Sequence, residues 1–203
     1  MGCFVVGLTG QTGAGKSTVS RVLEECGIPV IDCDLLARQA VLPGSDCLAQ
    51  LAQAFGEQIL WADGTLDRAK TASIAFSDPE KLQMLNQITH KAILALLDHQ
   101  LQQMQQHGEP LAVVDAPTLF ESGADRFCQA VISVIAPQPL RYQRILARDG
   151  LDPEAARKRM GAQKEDSFYT SRSDYILENT GSREELEEKA KQLAQILKQK
   201  VGE

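Results

Sequence analysis

The stretch that decides the fold is CFVVGLTGQTGAGKST, residues 3–18. It begins as a short apolar run, typical of a buried parallel strand, and continues into a glycine-rich segment. That segment matches G-x-x-x-x-G-K-[ST] in full and ends in Gly15, Lys16 and Ser17. Residues 16–26 carry apolar side chains at helical spacing, so the motif lies between a strand and a helix, the context that phosphate binding requires.

Each part of this phosphate loop has a physical task. Its glycines allow backbone N–H groups to converge on phosphate oxygens, and the N-terminus of the following helix adds partial positive charge. Lys16 is long enough to reach the β- and γ-phosphates, and the Ser17 hydroxyl is a ligand for Mg²⁺. The residues predicted to bind the nucleotide are Gly10, Gln11, Thr12, Gly13, Ala14, Gly15, Lys16, Ser17 and Thr18. The alternative, an ordinary glycine-rich turn before a helix, is disfavoured by the intact motif.

Composition limits the classes of partner and the cellular compartment. At 203 residues the chain can form one domain, or a domain with an insertion. Its net charge of −6 argues against broad nucleic-acid binding. The five cysteines include no C-x-x-C pair, which favours reduced thiols. The first apolar run is too short for a signal peptide or a membrane span, so we expect a cytoplasmic protein without a membrane partner.

Apolar runs recur along the chain and indicate a parallel sheet. Further strands are predicted at 28–32, 111–116, 130–136 and 174–179, and a capping box at Ser182 opens a last helix. The region between the second and third strands has helix-like patterns instead. We therefore expect a three-layer α/β fold of the P-loop NTPase type, with a helical insertion that binds an acceptor and a lid.

The predicted organisation is a single P-loop kinase unit with three parts. The nucleotide-binding core takes residues 1–34, 109–136 and 170–203. The helical insertion takes residues 35–108 and the lid region residues 137–169.

Two carboxylates follow the second strand, in the run VIDCDLLAR. A strand with alternating faces that continued through this run would point Asp32 and Asp34 to one side and Cys33 to the other. One carboxylate at the carboxyl end of a parallel strand can accept a proton from an acceptor hydroxyl, while Arg38 grips an acceptor phosphate. The alternative is structural, with Asp34 as a helix cap and Asp32 as a surface acid.

The strand VVDAPTLFESG, residues 113–123, ends in a third carboxylate. Asp115 is placed as the second acidic element of phosphate-loop proteins, which acts on Mg²⁺ or its waters. Its alternative is a strand-end turn residue. Leu119 and Phe120 line an apolar substrate wall or belong to the core.

Basic residues follow the fourth strand in PLRYQRILARDG, residues 139–150. On a helix, Arg141, Arg144 and Arg148 share one face. Such a cluster suits a mobile lid that neutralises the phosphoryl group in transfer. The alternative is a solvated charged face, the usual meaning of a charge run.

The phosphate loop does not by itself separate a kinase from a GTPase or a switch. The Asn-Lys-x-Asp segment typical of GTP recognition is absent from the sequence. A small-molecule kinase is therefore the first choice, with a nucleoside monophosphate kinase and a non-catalytic nucleotide-dependent switch as alternatives.

With these residues assembled, the sequence resembles the dephospho-CoA kinase family over nearly its whole length. The motifs that carry the resemblance are GLTGQTGAGKST (7–18), VIDCDLLAR (30–38), PG (43–44), DGTLDR (63–68), LNQITH (85–90), VVDAPTLFESG (113–123), RYQRILARDG (141–150) and SDYILENTGS (173–182).

The resemblance implies an ATP- and Mg²⁺-dependent kinase for the ribose 3′-hydroxyl of dephospho-CoA. By motif position, Asp34 would be the base-like aspartate, and Arg144 or Arg148 the lid arginine. The acceptor site would include Thr9, Arg38 and His90, and the segment Asn179-Thr180-Gly181 would lie against adenine. A monomer or a weak homo-oligomer is expected. Three positions depart from the family pattern: Lys91 stands where proline is frequent, Thr118 where leucine is frequent, and Tyr169 where lysine is common.

Overall fold

The computed structural model describes residues 2–202 and divides the chain into two compact units. The first unit joins the chain up to residue 31 to the chain from residue 104 onward. The second unit is Asp32–Gln103. Among the described residues, no helix is both long and apolar enough to cross a membrane.

A five-stranded sheet organises the first unit, and it confirms the α/β prediction. Its strands are β1 (Phe4–Gly10), β2 (Val30–Asp32), β3 (Leu111–Asp115), β4 (Ala130–Ile135) and β5 (Tyr175–Glu178). The spatial order is β2-β3-β1-β4-β5, so β1 lies at the centre. It pairs in parallel with β3 and with β4, and β4 pairs in parallel with β5. The loop that follows β1 therefore leaves the middle of the sheet at its carboxyl edge, where ligands bind in folds of this kind.

Helices follow the strands of the first unit. They are α1 (Lys16–Glu25), α6 (Leu119–Ser122), α7 (Gln138–Asp149), α8 (Pro153–Gly161), α9 (Asp166–Thr170) and α10 (Arg183–Gly202), with a short 3₁₀ helix at Ala124–Phe127. The second unit contains α2 (Cys33–Gln39), α3 (Asp46–Phe55), a 3₁₀ helix at Glu57–Ile59, α4 (Arg68–Phe76) and most of α5 (Pro79–Gln106).

Both faces of β1 are covered, which gives the three layers. Val6 and Leu8 are fully buried in one cluster with the apolar stripes of α1 and α10. Gly7 faces the opposite way, because side chains alternate along a strand. A Cβ atom at Gly7 would lie 2.6 Å from the Leu119 side chain, so α6 packs directly on the sheet there.

The second unit is helical with its own small core. Cys47, Leu51 and Phe55 of α3 pack with Ile59 in a buried cluster that partly buried side chains of α4 and α5 extend. Polar caps define where its helices begin. Ser45 accepts a hydrogen bond from the N–H of Leu48 at 3.2 Å, which satisfies one of the unpaired N–H groups of the first turn.

The predicted alternation of the two carboxylates after β2 is wrong. The strand ends at Asp32, and α2 begins at Cys33. The carboxylate of Asp32 accepts hydrogen bonds from the N–H groups of Asp34 and Leu35, at 2.7 and 3.3 Å. Asp32 is thus the helix cap, and not Asp34 as the structural alternative had it. Because the Asp32 side chain satisfies N–H groups in the first turn of α2, it favours the start of a helix over the continuation of the strand.

Candidate nucleotide-binding site

The phosphate loop is a tight turn between β1 and α1. The N–H of Ala14 donates to the carbonyl of Gln11 at 3.0 Å, and α1 begins directly after Gly15. Gly15 has a φ of +108°, and a Cβ atom there would lie 2.5 Å from the side-chain nitrogen of Asn179. Only glycine combines that backbone conformation with so close an approach.

Lys16 forms an ion pair with Asp115. The lysine opens α1, and the aspartate ends β3, opposite Leu8 in the β1–β3 register. Asp115 is 6% exposed, and a carboxylate buried to this extent needs a nearby cation such as the Lys16 ammonium group to offset the cost of its burial. A bound phosphate would compete with Asp115 for the lysine, because both are anions.

Ser17 and Asp115 suit a shared magnesium site. Ser17 is exposed in the first turn of α1, and Asp115 supplies a carboxylate. Mg²⁺ commonly takes only one or two protein ligands and completes its shell with water and substrate phosphates. Accordingly, the described residues contain no cluster of three or more histidine, cysteine or acidic side chains that would hold a metal alone. The donor set fits a metal that arrives with the nucleotide.

Two side chains from distant segments hold the carbonyl groups of the phosphate loop. Arg144 of α7 donates to the Gly13 carbonyl at 3.3 Å and to the side-chain oxygen of Asn179 at 3.2 Å. Asn179, which is 6% exposed, donates to the Ala14 carbonyl at 2.7 Å. These bonds occupy the Gly13 and Ala14 carbonyl oxygens and tie the loop to α7 and to the residue that follows β5.

The three arginines predicted to share a helix face lie in three different environments. Arg141 is buried, donates to the Ala136 carbonyl at 3.0 Å, and has a pKa lowered by burial. Arg144 is bound to the phosphate loop, as described. Arg148 is exposed and donates two hydrogen bonds to Asp149, at 2.6 and 2.9 Å. These bonds, and the neighbouring charges of Arg148 and Arg159, lower the pKa of Asp149.

The predicted substrate-binding residues of the first unit are mostly buried. Thr9 is fully buried and its hydroxyl donates to the Pro117 carbonyl at 3.2 Å. Leu119 is also fully buried, which supports its core interpretation. Phe120 is partly exposed and packs edge-to-face on Phe168, with 5.7 Å between ring centroids.

The remaining predicted residues differ in exposure. Asp34 and Arg38 are exposed on α2, and His90 is half-buried on α5. Gly181 is exposed just beyond β5 in the first unit.

Sequence reasoning missed Gln163, which bonds to Thr12 of the phosphate loop. A single glutamine after a helix carries no periodic signal. Its partner is 151 residues away in the sequence, and no local pattern could have indicated the contact.

Comparison with known proteins identifies the relatives of this chain. A family model described as dephospho-CoA kinase matches residues 4–185. The chain belongs to the dephospho-CoA kinase family. Among curated members, the dephospho-CoA kinase of Syntrophotalea carbinolica is 42% identical over 90% of this chain and 86% of its own length. The one from Corynebacterium diphtheriae is 41% identical over 94% of this chain and 96% of its own length.

A solved structure of the same family has the same fold. The dephospho-CoA kinase from Campylobacter jejuni superimposes with a TM-score of 0.74 at 27% identity, covering 97% of this chain and 98% of that one. The predicted resemblance to the dephospho-CoA kinase family and the predicted P-loop kinase fold are therefore both confirmed.

Proposed function

We propose that this protein transfers the γ-phosphoryl group of ATP to the ribose 3′-hydroxyl of dephospho-CoA, which gives coenzyme A, the last product of CoA biosynthesis. Membership of the dephospho-CoA kinase family supports the reaction. The observation that carries the proposal is the complete phosphate loop with Lys16 paired to Asp115 at the carboxyl edge of the sheet.

The phosphate loop binds the triphosphate of ATP. The backbone N–H groups of the loop and the N-terminus of α1 donate to phosphate oxygens, and Lys16 exchanges Asp115 for the β- and γ-phosphates. Asn179 and Gly181 lie beside the adenine ring in this proposal. Because phosphoryl transfer is catalysed mainly by position and charge, a preformed loop supplies much of the rate enhancement.

Magnesium belongs to the same site. The Ser17 hydroxyl and the Asp115 carboxylate would hold it, directly or through water. When bound, Mg²⁺ neutralises negative charge on the phosphates.

The second unit supplies the acceptor site in this proposal. Asp34 accepts the proton of the 3′-hydroxyl as that oxygen attacks the γ-phosphorus, and ADP leaves. Arg38 and His90 bind dephospho-CoA, with Asp32 shaping the turn before Asp34. Thr9, Leu119 and Phe120 are the proposed substrate-binding residues of the first unit, and Thr9 and Leu119, which are fully buried, would act through the packing described above.

Residues 137–169 act as the lid. Arg148 is the lid arginine that is free to move, since its pairing with Asp149 is solvent-exposed. Arg144 acts on the transferring group through the loop that it binds. We expect a cytoplasmic enzyme that is a monomer or a weak homo-oligomer.

The proposal is tested by acceptor screening with ATP and Mg²⁺. Wild-type protein is incubated with dephospho-CoA, AMP or a small sugar, and products are identified by mass. CoA is the expected product, with turnover on dephospho-CoA well above that on the other acceptors. Equal or faster turnover of AMP or of the sugar would contradict the proposed substrate. Omission of Mg²⁺ should abolish product formation.

A further inference from the structure

A glutamine outside the phosphate loop holds one peptide unit of that loop. The N–H of Thr12 donates to the side-chain oxygen of Gln163 at 3.1 Å, and the side-chain nitrogen of Gln163 donates to the Thr12 hydroxyl at 3.0 Å. Beside this pair, the Gln11 side chain donates to the Lys164 carbonyl at 3.0 Å. Three hydrogen bonds therefore join residues 11–12 to residues 163–164.

The peptide between Gln11 and Thr12 is fixed at both of its ends. Its carbonyl accepts from the N–H of Ala14 within the loop, and its N–H donates to Gln163 outside the loop. If this peptide rotated, its carbonyl oxygen would be released from the turn and could face the bound phosphates. A carbonyl oxygen repels phosphate oxygens, so the rotated loop would bind ATP less well.

Gln163 is itself attached to the basic helix α8. Its N–H donates to the Met160 carbonyl at 3.1 Å, at the end of that helix. Met160 and Ala156 of α8 pack with Ile145 of α7 in a buried cluster. The exposed side of α8 carries Arg157, Lys158 and Arg159.

We infer that Gln163 is a positioning residue for ATP. Its amide ties the α8 segment to Thr12 and so holds the phosphate loop in the shape that binds the nucleotide. The inference rests on the proposed binding of ATP at this loop.

The test is a double-mutant cycle between Gln163→Met and Thr12→Val. Methionine nearly matches glutamine in length but neither donates nor accepts these bonds. Loss of two neutral hydrogen bonds should raise the KM for ATP about tenfold, with the KM for dephospho-CoA nearly unchanged. Thr12→Val removes only the hydroxyl bond and should raise the KM for ATP about threefold. The double variant should resemble Gln163→Met alone, because both changes break the same contact.

The control is Gln195→Met, an exposed glutamine on α10. It should leave the KM for both substrates unchanged. An unchanged KM for ATP in Gln163→Met, or effects that multiply in the double variant, would overturn the inference. So would equal rises in the KM for both substrates, which would indicate a general loss of structure.

Calorimetric ATP binding separates failure of this inference from failure of the proposed function. If wild type bound ATP but made no CoA, the reaction would be wrong, and the same tenfold and threefold changes would be sought in the Kd for ATP. If Gln163→Met failed to fold, Thr12→Val would decide the matter alone. A threefold weaker Kd would support the inference, and an unchanged Kd would overturn it.

Discussion

Asn179→Leu should destabilise the protein and weaken ATP binding together. Leucine has the same number and branching of side-chain heavy atoms, although it is bulkier, and it makes neither of the two side-chain hydrogen bonds of Asn179. The Ala14 carbonyl would lose its donor, which costs about 1–3 kcal/mol for a buried acceptor. Arg144 would lose a charge-assisted bond of about 1.5–3 kcal/mol, of which solvent restores part because Arg144 is only half-buried.

The expected sum is about 2–4 kcal/mol in the free energy of unfolding. For a chain of this length, that lowers the Tm by about 4–16 °C. Urea unfolding and calorimetric ATP binding measure the two effects. Asn86→Leu, an exposed position on α5, is the matched control and should change neither.

Asn179→Asp tests the same contact with the Ala14 carbonyl by introducing a negative charge. Aspartate can still accept from Arg144, but at neutral pH it places a carboxylate oxygen where the amide had donated to the Ala14 carbonyl, at 2.7 Å. The repulsion should disappear at low pH, where a protonated carboxyl can donate. The stability of this variant relative to wild type should therefore rise as the pH falls. Wild-type stability in Asn179→Leu, or a pH-independent deficit in Asn179→Asp, would refute the reasoning.

Four other substitutions have expected effects on kinetics or on stability. Lys16→Met should reduce kcat/KM by more than 100-fold. It should also lower the Tm, because the buried Asp115 carboxylate loses its cation. An unchanged kcat/KM would exclude Lys16 from phosphate binding. Arg148→Ala should lower kcat while changing the free energy of unfolding by less than about 1 kcal/mol, since its ion pair is exposed. Arg144→Ala should instead raise the KM for ATP and lower the Tm, because Arg144 donates to the phosphate loop. If Arg144→Ala and Arg148→Ala both lowered only the Tm, the lid assignment would fail. Burial, aided by nearby acidic groups, raises the pKa of Tyr169 to about 12. The unfolded chain then releases this proton first, so stability falls as the pH rises through about 10–12, and Tyr169→Phe should flatten that fall in urea titrations.

Local sequence was sufficient for the centre of the fold. The glycines of the motif predict the loop between β1 and α1, and Asp115 ends a buried strand that the apolar run predicts directly. The family resemblance, confirmed by the matched model, rests on such motifs in order along the chain.

Two failures have clear physical causes. The run through Asp32 and Cys33 predicts a continuing strand. Instead, the Asp32 carboxylate accepts hydrogen bonds from the N–H groups of Asp34 and Leu35, and a helix begins. Helical periodicity correctly groups Arg141, Arg144 and Arg148, but it says nothing of their partners. Only Arg144 has partners far away in the sequence, whereas Arg141 donates to the Ala136 carbonyl five residues earlier and Arg148 donates to the adjacent Asp149.

The measurement that tests the central claim most directly is CoA formation by wild type and by Asp34→Asn, with ATP, Mg²⁺ and dephospho-CoA. Product is identified by mass, and ATP binding is measured on the same samples. Asp98→Asn, an exposed aspartate on α5, serves as the control. We expect CoA from wild type and the control, and a turnover about 10²–10⁴-fold lower in Asp34→Asn with ATP binding preserved. Near-normal turnover in Asp34→Asn, or no CoA from folded wild type that binds ATP, would contradict the account.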